Sequence, residues 1–499
     1  MPASTVDRGQ RDDRLLSGLL GHFTDGERDG ARAFGDRLVR AAGGPGPLPR
    51  FTVFVSYGGG KDSTYAVAFV RTVQLMLQAE HGATFRLRVA NMRHAGVATA
   101  VMDNIDRVYR ALDLLDDERA ELLTIDHTVI RPFRVDLPLP DRVRELNRLD
   151  VLMNGHRSAG DGRPTFCNSC NLAVADFYGR AAWWRGGVDA IVTGDSRREQ
   201  LLYSAWIMRL ARTCGVDVAE CRRMGFHGVL EALRGIGAAY FRELFGDDAT
   251  AELAEREVDS GDRSAQPEFL SIYDLVSYRV EDHWDLLVDF LGFRFEELAF
   301  NFTESDCANP MLMAHLRGLR TEFVADRSYA AGITEYLALA ESLMRAKQMP
   351  DDLVRLALDR YGSADRIAAQ RTVAADFARD AFGLDEAALV AMVFSPFADG
   401  GRRLRPFLDR CHPGLSARAA ELHAALRGDP AGDDAVGWLE AVSGLSIAQL
   451  RTLYRSPSVD FGRTDSVMSR VRAGDPHKVF VATVDVATGK PATELISGR

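Results

Sequence analysis

Phe51-Thr52-Val53-Phe54-Val55-Ser56-Tyr57-Gly58-Gly59-Gly60-Lys61-Asp62-Ser63-Thr64 is the stretch on which the fold turns. An apolar run with strand character, Phe51 to Val55, enters three consecutive glycines, and a helical apolar pattern follows from Tyr65 to Leu77. A buried strand, a glycine loop with a hydroxyl at its exit and then a helix is the arrangement that cradles phosphate. Glycines let consecutive backbone N–H groups turn inward, and the helix start adds partial positive charge. A Walker loop needs Gly-Lys followed by Ser or Thr, whereas Asp62 follows Lys61 here, which argues against γ-phosphate chemistry. The plainer alternative is a glycine-rich strand-to-helix turn with no ligand.

Gly59-Gly60-Lys61-Asp62-Ser63 resembles the PP-loop, Ser-Gly-Gly-x-Asp-Ser, of the ATP pyrophosphatases. The resemblance implies an adenine nucleotide alpha hydrolase-like fold and cleavage of ATP, with Mg²⁺, between its α- and β-phosphates. AMP then passes to an oxygen of the substrate and pyrophosphate leaves. The nucleotide-binding set it implies here is Ser56, Tyr57, Gly58, Gly59, Gly60, Lys61, Asp62, Ser63 and Thr64, with Lys61 and Asp62 also catalytic. Gly58 stands where the family has serine, and Ser56 and Tyr57 are the hydroxyls that could replace it.

The 499 residues suffice for two or three domains with full cores. Hydrophobic residues make up 46% and charged residues 26%, the balance of a folded soluble chain rather than a disordered one. No apolar run is long enough to span a bilayer, and Met1 to Arg14 lacks a signal-peptide apolar core, so a cytoplasmic protein without membrane partners is expected. A net charge of −10 excludes a global basic footprint for nucleic acid. Cysteines stand at 167, 170, 214, 221, 307 and 411, and in a cytosolic chain of this size they point to metal or catalysis more than to disulfides.

Strand patterns at Phe51–Val55, Phe85–Ala90, Leu122–Ile125 and Ala190–Thr193 alternate with helical patterns at Tyr65–Gln78, Ala98–Leu115 and Ala173–Trp184. This alternation predicts an α/β fold with a doubly wound parallel sheet over residues 51–330. Residues 1–50 form a helical segment (Arg14–Ala42) behind a polar, mobile start ending at Asp13, and residues 331–499 form a mainly helical domain with a hairpin at Lys478–Val486. Asp247–Gln266 is acidic and weakly apolar and reads as a surface insertion. Ligands of such sheets sit beyond the carboxyl ends of the strands, where the glycine loop, Asn91-Met92-Arg93 and Gly194-Asp195 all fall.

Cys167-Asn168-Ser169-Cys170 is read as opening a helix, and two cysteines at that spacing can point at one metal or remain a thiol pair. Together with Thr193-Gly194-Asp195 and Thr303-Glu304-Ser305-Asp306-Cys307, the pattern resembles the Fe–S-dependent tRNA thiolation enzymes that make 2-thiouridine and 2-thiocytidine, over roughly residues 51–320. That resemblance implies a 4Fe-4S cluster on Cys167, Cys170 and Cys307, one iron open to carry sulfide. Asp195 replaces the family's histidine, the terminal zinc-binding cysteine clusters of the most similar enzymes are absent, and the acidic balance favours a small-molecule substrate over tRNA. A sulfur-donor protein and a homodimer are the partners the reading allows. Cys214, Cys221 and Cys411 are expected to be ordinary thiols.

The remaining signals stay open. Asp62 positions Mg²⁺-bound pyrophosphate or caps a helix, and Asn91, Met92 and Arg93 hold adenine or merely end a strand. Trp183-Trp184 reads as core, and Arg197-Arg198 as a solvated helix start. His156 is unplaced. The function expected is ATP-dependent adenylation of a carbonyl or amide oxygen, followed by sulfur transfer. Amide ligation with structural cysteines, or a nucleotide-binding partner without catalysis, are the alternatives.

Overall fold

The computed structural model describes residues 5–192, 197–259, 261, 266–276, 283–294, 309–346, 351–473, 478–484, 488 and 490–497. At its centre is β1 (Thr52–Ser56), whose Val53, Phe54 and Val55 are fully buried, so neither face of this strand meets water. Around it lie β2 (Arg86–Met92), β3 (Ala120–Asp126), β4 (Val129–Pro132), β5 (Ala190–Val192) and β6 (Glu268–Leu270), in the order β4-β3-β2-β1-β5-β6. All neighbours are parallel except β3 and β4. Val55 pairs with Val89 on one side and Val192 on the other. The predicted strands are present, with ends shifted by at most two residues. The short strands β4 and β6, which carry almost no alternation, were not predicted.

Helices cover both faces. α1 (Thr5–Gly21), α2 (Asp25–Ala42), α3 (Lys61–His81) and α4 (Thr99–Ala111) gather with Val53, Val55, Leu87 and Val89 into one apolar cluster. Across the sheet, Phe54, Ala90 and Ile191 meet Phe177 and Ala181 of α6 (Gly162–Trp183), which follows α5 (Asp141–Ser158). α7 (Arg197–Thr213), α8 (Val218–Arg223), α9 (Gly225–Phe245) and α10 (Thr250–Ala254) come between β5 and β6, with Phe226 and Leu230 of α9 on the α6 face. Strand order reverses at β1, so the crevice of this sheet opens at the carboxyl end of the glycine-loop strand.

One expectation about a surface segment is corrected. The polar start is a helix from Thr5, held by an ion-pair network. Arg8 and Arg71 reach Asp117 at 2.5 and 2.8 Å, and Arg119 reaches Asp12 at 2.9 Å, so Asp12 is buried in a pair and Arg8 is tied down. The acidic stretch after Asp247 folds back onto α5, where Arg256 Nε meets Asp150 Oδ1 at 2.7 Å and Val258 is buried.

Beyond the sheet come α11 (Pro310–Phe323), α12 (Tyr329–Ala346), α13 (Asp351–Asp359), α14 (Ala364–Phe382), α15 (Glu386–Phe394), α16 (Leu404–Cys411), α17 (Ala419–Arg427), α18 (Asp433–Ser443), α19 (Ile447–Arg455) and α20 (Val467–Arg472). The hairpin of β7 (Lys478–Val484) and β8 (Pro491–Ser497) follows. The largest apolar cluster runs across position 330: Leu152, Phe166, Leu316, Ile333, Met392 and Leu439 all belong to it. α11 and α12 touch backbone to backbone, since a Cβ on Gly332 would lie 2.6 Å from Arg317 O and 2.9 Å from Gly318 Cα.

His156 sits in α5, not in a loop, and it is fully buried against Phe397, with ring centroids 5.4 Å apart. Ser395 Oγ donates to its carbonyl, while neither ring nitrogen has a hydrogen-bond partner among the described residues. Burial alone pulls its pKa down to about 3. The unfolded chain binds a proton near pH 6.5 that the native state refuses. The stability from this site is therefore complete above that pH and is lost as pH falls toward the folded value. His156→Leu should abolish about 2 kcal/mol of the stability lost between pH 7 and pH 5, read from denaturant midpoints at the two pH values.

Candidate functional site

Backbone geometry decides the loop after β1. Gly59 adopts φ +79°, and a Cβ there would lie 2.5 Å from Val101 Cγ1 of α4, so both the turn and the packing require glycine. Gly60 takes the N-cap position of α3 without a side-chain cap. Asp62 is therefore a first-turn residue rather than the cap. Its side chain is 46% exposed, and it receives Lys61 Nζ at 2.8 Å. The amides of Gly58, Gly59, Gly60 and Ser63 make no hydrogen bond among the described residues. They crown a 21-residue helix, which concentrates unsatisfied donors and dipole charge at the sheet's crevice.

Hydroxyls here hold the loop rather than face outward. Tyr57 and Thr64 are fully buried, and Tyr57 Oη lies 3.0 Å from Thr64 Oγ1. Thr64 Oγ1 and Ser63 Oγ donate to Gly60 O at 2.9 and 3.0 Å. Burial raises the phenol of Tyr57 well above its ordinary range. Tyr57 therefore cannot stand in for the phosphate-facing serine that Gly58 lacks, and the Thr64 side chain is equally withdrawn. Half-buried Ser56 remains for that role.

At the end of β2, side chains are likewise structural. Arg93 clamps Asp126, Nε to Oδ1 at 2.7 Å and Nη2 to Oδ2 at 2.6 Å, and Arg131 donates to the same buried carboxylate. Asn91 is buried, accepts from Thr124 Oγ1 at 3.1 Å and directs Nδ2 toward Met102 Sδ. The side chains of Asn91 and Arg93 are thus engaged, which leaves the backbone and the half-buried Met92 to meet a ligand. Gly194 and Asp195 lie outside the described residues.

No protein-family model, no curated protein and no solved structure matches this chain. The site must be read from its own atoms.

Beside Met92 and Arg93 opens a cavity of about 60 Å³ that the sequence did not announce. α5 contributes Val143, Leu146, Asn147 and Asp150, and α6 contributes Ser169, Leu172, Ala173 and Asp176. Each set is the i, i+3, i+4, i+7 face of its helix. Polar residues on such inward stripes are the signal that could have found this site. Asp150 is raised by burial, which Arg256 opposes, and Asp176 holds Arg180 Nε at 2.6 Å. His127, in the turn between β3 and β4, adopts φ +55°, a conformation uncommon outside glycine and asparagine. Its imidazole is held neutral chiefly by burial and makes no hydrogen bond among the described residues.

The cysteine pair lies inside a helix rather than at its start, since α6 begins at Gly162. Residues three apart share a helix face, so the spacing suits two donors to one metal. α6 returns to the amino edge of the sheet, where Asp189 Oδ2 accepts from Thr52 N at 2.7 Å, and its other end projects past the carboxyl edge. Phe177 packs on Phe54, and Cys170 is two turns nearer the crevice, about 10 Å along the axis. Cys167 and Cys170 thus lie on the part of α6 toward the carboxyl edge of the sheet. Cys170 is partly buried against the helical core. The side chain of Cys167 and all of Cys307 lie outside the described residues. Cys221 is buried, Cys214 and Cys411 are partly so, and burial pushes the Cys411 thiol up to about 11. These thiols are in protonated, unreactive surroundings, as expected.

Two substitutions separate strut from ligand. Tyr57→Phe should lower stability by about 1 kcal/mol while leaving ATP affinity unchanged in calorimetric titration. Gly59→Ala combines a positive φ with an overlap and should lose at least ~2 kcal/mol, together with nucleotide binding.

Proposed function

We propose that this protein is a PP-loop ATP pyrophosphatase that adenylates an oxygen of a small molecule and releases pyrophosphate. The observation that carries the reading is the loop itself. Unsatisfied amides at Gly58–Gly60 and Ser63 sit on the N-terminus of α3, at the point where strand order reverses. Donors of this kind suit an oxyanion whose charge grows as a bond breaks, which describes departing pyrophosphate. Asp62, exposed beside the loop, offers a carboxylate for Mg²⁺, and Lys61, paired with it at 2.8 Å, stands ready for the α-phosphate.

In the thiolation form of the reaction, Cys167, Cys170 and Cys307 would hold a 4Fe-4S cluster, which supplies sulfide to displace AMP. The protein's share is placement. α6 carries two of the three proposed donors, and in this reading the incoming group would be delivered to the adenylated oxygen without diffusion.

Turnover products test the first half, and metal content the second. Chromatography of the nucleotides should give AMP with pyrophosphate, and Asp62→Ala should lower turnover at least ~100-fold with the fold retained. ADP as the main product would refute the assignment. Anaerobically purified protein should contain about four irons per chain, lost on replacing Cys167, Cys170 or Cys307 but not Cys214. Colourless protein that still forms AMP would make amide ligation the reaction.

A further inference from the structure

The cavity between α5 and α6 carries balanced charges and two unused polar groups. Each ionic residue on its wall faces a partner of opposite sign: Asp150 meets Arg256 at 2.7 Å, Asp176 meets Arg180 at 2.6 Å, Glu257 meets Arg234 at 3.2 Å, and Arg93 clamps Asp126. His94 Nδ1 accepts from the Gly96 amide at 3.0 Å, which puts its proton on Nε2 and leaves the ring uncharged. Ser169 accepts from Asn154 Nδ2 at 2.9 Å. Asn147 is only half engaged. Its oxygen takes the Ala95 amide at 3.0 Å, and its Nδ2 makes no hydrogen bond among the described residues. His127 is held at φ +55°, a strained conformation of the kind that collects at ligand sites, and neither ring nitrogen is hydrogen-bonded among the described residues. Burial keeps that ring neutral as well.

A volume of about 60 Å³ admits roughly four to six non-hydrogen atoms, at about 10–15 Å³ for each water-sized group. Met92, Ile125, Leu146, Leu172, Phe177 and Phe241 make the apolar part of the wall. Ala173 lines the cavity and is exposed, so the space communicates with the surface there. Water alone would satisfy Asn147 and His127 but leave the apolar wall wetted. An ionic guest would bring a charge that no group on the wall is left to balance. We propose that this cavity is a binding site for a small uncharged molecule, an apolar body bearing one carboxamide or hydroxyl group, held by Asn147 and His127. The amide N–H of Asn147 would donate to the guest's oxygen, and the imidazole would exchange a hydrogen bond with its N–H or O–H. This binding stands apart from the nucleotide reading, and it is measured with no nucleotide present, so the two fail separately.

Propionamide and 1-propanol are the neutral probes, with propionate and propylammonium as charged molecules of the same shape. Titrations of the intact chain followed by saturation-transfer NMR should show saturable binding of at least one neutral probe, with a dissociation constant on the order of millimolar for so few atoms. The tighter of the two tells a carboxamide guest from an alcohol. Both charged probes should bind at least ~10-fold more weakly. Ala173→Phe, placed at an exposed position, should melt like the wild type and lose the binding by filling the cavity. His127→Gly relieves the strained φ, so it should melt no lower while binding at least ~5-fold more weakly. The proposal is overturned if neither neutral probe saturates, or if a charged probe binds as tightly as the better neutral one. Undiminished binding in Ala173→Phe or in His127→Gly would overturn it too.

Discussion

Everything near the crevice depends on the absence of one carbon atom. At Gly59 the chain must turn from β1 into α3 with a positive φ while lying against Val101 and Ile105, and no side chain can satisfy both demands. That close approach presses α4 onto the loop, fixes the start of α3 at Gly60 and leaves the loop amides pointing away from the core. The hydroxyls of Tyr57 and Thr64 then hold the underside of the loop, so the loop is braced before any ligand arrives. A preorganised donor set of this kind need not reorganise when charge develops.

Much of this was legible because strand and helix periodicities are strongest where both faces are buried. Phe51–Val55 and the helix after it were legible because most of their residues are apolar and buried, Tyr65–Val70 without a break. β4 and β6 escaped notice because short edge strands need no alternation. Asp12 misled through composition: a polar start reads as mobile, whereas pairing with Arg119 and Arg71 lets its carboxylate be buried. The cavity was hidden for the opposite reason. Asn147, Asp150 and Asp176 are spaced like core residues and differ only in being polar, a signature that becomes readable once the facing helices are known. Tyr57 and Arg93 show the limit of motif position as a guide, because sequence places a residue near a ligand without saying which way its side chain turns.

The cysteine turn and the residue that meets Arg472 of α20 lie on one helix, at Cys167 and Asn168. Adjacent positions on a helix point about 100° apart, so α6 can present thiol chemistry on one side and a charged contact from α20 on another without crowding. The short C-terminal helix thereby acquires a reason to be specific in sequence, which apolar packing alone would not demand.

α6 belongs to two cores at once. Phe166 and Leu172 are packed into the helical cluster that contains Met392 and Leu439, while Phe177 and Ala181 are packed under the sheet. An unbroken 22-residue helix acts as a shaft embedded at both ends. Rotation of the helical half away from the sheet, the usual way two lobes open around a substrate, would have to snap or bend that shaft and tear apolar contacts from one core. The molecule is thus built against hinge opening, and movement between its halves is confined to sliding of packed helices or to the connections between them.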